Sequence, residues 1–169
     1  MGRDEDGANA VEFALLLPIL IVLLFGILFG GILLNQHLSV TQAAREGARF
    51  GATLAVVDDD ENGEPDAAWF ADVRSRTLRG STGTLTTGSD VICVWFVTAG
   101  GTSIADEAGN ANPPCGSDPP GEPPTGDDGD RVVVYVQQPA VLELVLYSFD
   151  TTLSSRAVAR HEGGIPEAP

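Results

Sequence analysis

Residues able to bind or react are few in this 169-residue chain, and they lie far apart. The densest group is acidic. Asp58, Asp60, Asn62, Glu64 and Asp66 follow the spacing D-x-D-x-N-G-x-x-D, which copies the opening of an EF-hand calcium loop. Where that loop needs its bidentate glutamate the chain has Trp69, so two oxygen ligands are missing. Calcium is the weaker reading. The stronger one is a solvated acidic turn, with Pro65 and Asp66 opening a helix. Cys93 and Cys115 are the only cysteines. Outside the cytoplasm they can pair, and closing a loop of about 22 residues is worth roughly 3 kcal/mol in the chain-entropy treatment. Zinc wants four ligands, and only His37 and His161 could join them. Glu12 stands at the entrance to a long apolar run, where a carboxylate is costly unless it stays at headgroup level or meets a partner. Near a helix N-terminus its charge is also favoured by the dipole. No G-x-S-x-G, H-E-x-x-H or lysine-bearing phosphate loop occurs, and the chain contains no lysine at all. The expectation is a protein that is not an enzyme and takes no small-molecule substrate or resident cofactor.

The element that positions everything else is the run over residues 13–34, FALLLPILIVLLFGILFGGILL, with no charge and no side-chain amide. As a helix it spans roughly 33 Å, the thickness of a bilayer's hydrocarbon core. Pro18 is tolerated in membrane helices. A helix apolar all round cannot be wrapped by the small, polar remainder of the chain, and the run is too long for a signal-peptide core. A single membrane-spanning helix is predicted. Gly26 and Gly30 form G-x-x-x-G within it, a spacing that lets helix backbones approach closely. The net charge of −15 keeps the soluble part hydrated and excludes nucleic acid as a partner bound through its phosphates.

A polar leader ending in Gly7, then Ala8-Asn9-Ala10-Val11, then Glu12, Phe13 and the apolar helix resembles a type IV prepilin processing site. Together with the block Gln42-Ala43-Ala44-Arg45-Glu46-Gly47-Ala48-Arg49, this opening resembles the TadE-like family, minor pseudopilins of the tight-adherence (Flp) pilus system. The resemblance implies cleavage by a prepilin peptidase between Gly7 and Ala8, and pairing of Glu12, beside Phe13, with the new N-terminal amine of a neighbouring subunit. It also implies partners among pilin-like subunits and inner-membrane assembly proteins, and a location in the cell membrane or a pilus. Counting arginines, Arg3 before the helix against Arg45 and Arg49 after it, weakly favours the opposite orientation. The processing motif and the cysteine pair favour a cytoplasmic N-terminus with the C-terminal domain outside. The alternative is a single-pass membrane-anchored binding or sensor domain.

Beyond the membrane, small residues continue at four-residue spacing, Ala44, Ala48 and Ala52 beside Gly47, Gly51 and Ala55, and carry the predicted helix to about Val57. They suit either the seat of the chain's own domain or a seam between subunits. Residues 67–78 read as a short helix with Trp69, Phe70, Val73 and Leu78 inward and Gly80 as its cap. Strands are expected over 90–98, over 131–137 with Pro139 as the stop, and over 151–160, with 141–146 a helical turn or packing loop. Residues 99–130 are rich in Gly, Pro and Asp and read as a mobile loop, its first half tethered if the cysteines pair. The predicted organisation is a leader over 1–7, a transmembrane and spine helix over 8–57, an extracytoplasmic domain over 58–162 and a loose tail over 163–169 that begins near His161. The fold class is α+β: a long N-terminal helix, one short helix and a small, mostly antiparallel sheet, a pilin-like plan.

Overall fold

The computed structural model describes residues 3–56, 64–81, 83, 85, 90–106, 115–116, 118–121, 129–143 and 148–162, with backbone alone at 3–8 and 142–143. Its elements run α1 (Arg3–Thr53), α2 (Ala67–Gly80), β1 (Val91–Val97), β2 (Ser103–Ala105), β3 (Arg131–Glu143) and β4 (Ser148–Arg160). This is the expected α+β fold. The chain divides into two units, Met1–Asn35 and Gln36–Pro169.

The first unit is the apolar part of α1. Ile19, Leu20, Val22 and Leu28 point in different directions around the helix, and each is more than half exposed. Such a surface is stable only in lipid or against other apolar helices. The helix passes through Pro18 unbroken and is long and apolar enough to cross a membrane.

The second unit is built on a four-stranded antiparallel sheet of order β2-β1-β3-β4. Strand β1, VICVWFV, is central and almost wholly buried, which explains why it reads as a continuous apolar run rather than an alternating one. Ile92, Val94 and Phe96 face Val136, Val134 and Val132 across the β1–β3 ladder and share one sheet face. That face meets the helices: the Trp69 ring of α2 packs edge-on to Phe96 at 5.8 Å between centroids, and Gly51 of α1 lies against Val132, Val73 and Trp69. The other face carries Cys93, Trp95, Val97 and Val133. It is covered by the segment at Cys115, which is disulfide-bonded to Cys93 with the Cα atoms 5.6 Å apart. The Trp95 indole N–H donates to the Gly116 carbonyl at 2.8 Å, fixing the same cover.

Several expectations need correction. Helix α1 ends at Thr53 rather than Val57, because its last carbonyls find partners from elsewhere in the fold. The Glu162 N–H donates to Ala52 O at 2.8 Å, and Trp69 Nε1 and His161 Nε2 both reach Leu54 O. His161 is accordingly part of the core margin, edge-on to Phe96, and not part of a loose tail. Pro139 does not stop β3. Beyond Gln137 that strand has no β1 neighbour, so a residue without an N–H fits in the two-stranded ladder that pairs Pro139 with Thr152. Residues 141–143 therefore continue the strand, and β4 begins at Ser148. Residues 103–105, predicted as loop, form β2 on the outer edge of β1. Asp130, at the end of the predicted mobile loop, accepts the Ala99 N–H on its carboxylate at 2.9 Å. In α2 the inward residue is Thr77 rather than Leu78, and Gly80 is the last helical residue, with Ser81 as the cap. Of the predicted loop, residues 107–114, 117 and 122–128 lie outside the described set, as does the tail 163–169.

Candidate functional site

Gly7, Ala8, Glu12 and Phe13 all lie on α1. Residues 8 and 12 are four apart, so they share a helix face one turn from each other. Helical side chains lean toward the N-terminus, which aims a carboxylate at position 12 back toward residue 8. Glu12 and Phe13 are exposed, and Glu12 has no hydrogen-bond or ion-pair partner among the described residues. Farther along, a Cβ added at Gly26 or Gly30 would meet nothing within 4 Å. These two glycines leave an open notch on the apolar helix.

Ala44 and Ala48 are in a different situation. Both are buried, and so are Ala43 and Ala52. Their neighbours Gly47 and Gly51 bring α2 against α1: a Cβ on Gly47 would overlap the Thr77 hydroxyl, and one on Gly51 would stand 2.9 Å from Val132. Burial starts at Ser39, whose hydroxyl donates to the Ser81 carbonyl at 2.6 Å. The outer small-residue stripe is thus the seat of the chain's own domain.

The acidic run is only partly in view. Asp58, Asp60 and Asn62 lie outside the described residues. Asp66 is the N-cap of α2, its carboxylate accepting the Trp69 N–H at 2.7 Å. Among the described residues no group of three or more His, Cys, Asp or Glu is placed to hold a metal. His37 is exposed, well separated in sequence from the disulfide cysteines.

Residues missed in the sequence sit between α1 and α2. Gln42, Arg45, Glu46 and Arg49 of α1 and Arg76, Arg79 and Gly80 of α2 line an open cleft of about 500 Å³. Arg76 donates twice to Glu46, from Nε at 3.0 Å and Nη2 at 2.6 Å, and its guanidinium lies over the Phe50 ring. The register between the helices creates this cleft, and no local pattern in either helix announces it.

A family model described as TadE-like protein matches residues 7–49. Over these residues the chain is similar to the TadE-like family. The match takes in Gly7, Ala8, Glu12, Phe13, Gly26, Gly30, Ala44 and Ala48, while both cysteines and the whole sheet lie beyond it. No curated protein and no solved structure matches the chain. The TadE-like family is a structural, pilus-associated one, and the apolar part of the TadE-like segment fits a single-pass membrane anchor.

Proposed function

We propose that this chain is a minor pseudopilin of a tight-adherence pilus. A prepilin peptidase cuts between Gly7 and Ala8 on the cytoplasmic side of the membrane. The helix then holds the protein in the bilayer, with the domain that follows it outside the cytoplasm, where the Cys93–Cys115 disulfide persists. The observation that carries this reading is the TadE-like match over residues 7–49, in which a carboxylate without a partner guards the start of an apolar helix.

The physical logic concerns two charges. Cutting before Ala8 creates an amine at the edge of the hydrocarbon, and Glu12 is an acid in the same layer. Each is costly there alone, and side by side in a helix bundle each offsets the other's desolvation. The pairing selects neighbours that bring an amine to the same depth, namely other processed pilin-like subunits. The open notch at Gly26 and Gly30 lets such neighbours approach closely. No metal or organic cofactor enters this role.

The test replaces Glu12 by Ala and, separately, by Asp in cells that carry the pilus system. Glu12→Ala is expected to be processed and membrane-inserted but not recovered with the other pilin-like subunits, and Glu12→Asp to recover part of that association. Undiminished association of Glu12→Ala would remove the pairing role.

A further inference from the structure

Arginine is the only strongly basic residue in this chain, and four of the nine arginines line the cleft between α1 and α2. Acidic residues outnumber them 24 to 9, so an unpaired guanidinium is the less expected outcome. Yet Arg45, Arg49 and Arg79 have no acidic partner among the described residues, and Glu46, the one acid lining the cleft, is engaged by Arg76. From this concentration of uncompensated charge we infer that the cleft binds a carboxylate-rich peptide segment of a neighbouring protein.

Three features favour that occupant. A guanidinium presents a planar fork of donors that matches a carboxylate bidentately, and fixing three such forks on two packed helices limits the ordering cost of binding. The helices are locked at this point: Gly80 lies 3.1 Å, measured from a Cβ built on it, from the Glu46 side chain, and Arg76 is tied to Glu46 and stacked on Phe50. A cleft of about 500 Å³ is also far larger than a lone ion needs, a water molecule's share of liquid being about 30 Å³. An anionic lipid surface offers the same charge but as a flat plane, whereas the arginines here line a concave opening between two helices, which an extended segment can enter. The chain itself supplies an example in residues 58–66, DDDENGEPD, which a second copy could offer. Leader cleavage plays no part in this binding, so failure to bind would leave the proposed function standing.

The experiment uses the full chain in zwitterionic nanodiscs and a fluorescein-labelled peptide DDDENGEPD, read by anisotropy. Saturable binding that weakens with added salt is expected, and Arg45→Gln with Arg79→Gln should reduce affinity about a hundredfold, roughly tenfold for each guanidinium–carboxylate pair removed. Both side chains are exposed, so the variant should keep its unfolding midpoint. A control double variant, Arg131→Gln with Arg160→Gln, removes equal charge from the paired strands β3 and β4 and should change affinity less than twofold. No peptide binding, or equal weakening by both double variants, would overturn the inference. So would capture of the protein by phosphatidylglycerol vesicles without peptide binding, or displacement of the peptide by low millimolar inorganic phosphate.

Discussion

Substituting Gly47 by Ala tests whether the spine helix and α2 are packed as tightly as the structure has them. In an exposed helix this change stabilises by about 0.8–1 kcal/mol, since glycine is the poorer helix former. At Gly47 the new methyl would overlap the Thr77 hydroxyl and stand 3.1 Å from the Thr77 Cβ. Thr77 is fully buried, and its hydroxyl donates to the Val73 carbonyl at 2.9 Å. It has no free direction to turn. Overpacking of this kind costs about 1–3 kcal/mol, and turning the hydroxyl away from its acceptor adds about 1 kcal/mol more. After the propensity gain, Gly47→Ala should destabilise by about 1–3 kcal/mol, read by urea unfolding of the full chain in mild detergent with tryptophan fluorescence. In a Thr77→Ala background the overlapping hydroxyl is gone, and the same substitution should cost less than about 0.5 kcal/mol. If Gly47→Ala stabilises the wild-type chain, as it would at an uncovered helix position, the close approach of the two helices is refuted.

Reduction of the Cys93–Cys115 bridge, or its replacement by paired alanines, should lower stability by about 3 kcal/mol for a 22-residue separation, seen as a lower urea midpoint. The Trp95 emission should shift to the red as its cover at Gly116 loosens, and unchanged emission would contradict the role of that segment. At Gly26 and Gly30 an added Cβ meets nothing within 4 Å, so replacing either by leucine should leave unfolding of the domain unchanged. Recovery of neighbouring helices by in-membrane crosslinking should fall severalfold, and unchanged crosslinking would remove the notch from the assembly account.

How much of this is legible follows from which interactions are local. The apolar helix, the N-cap at Asp66 and the strand over residues 91–97 are written in adjacent residues, so periodicity and composition find them. Pro139 misleads because a rule about central strands does not hold where the ladder has only two strands, a fact set by the shorter length of β1. Hydropathy alone prefers Leu78 to Thr77 as the inward residue. The close approach at Gly47 decides the matter, and it belongs to a residue 30 positions earlier (77 − 47). His161 looks loose beside a Gly- and Pro-rich end, whereas its partners Leu54 and Phe96 come from distant parts of the chain. The arginine cleft is invisible for the same reason, being made by the register of two helices and by nothing within either. At the other end of the chain the position is reversed. The spacing from Gly7 to Phe13 is readable at once, since its meaning lies in the order of residues.

The most direct test is the mass of the mature N-terminus. The full-length chain is expressed with a prepilin peptidase, purified from membranes and analysed intact and after digestion. The account predicts a polypeptide that begins at Ala8, with the leader through Gly7 absent, and no such product when the peptidase is inactive. A membrane protein that retains its first seven residues in the presence of active peptidase would contradict it.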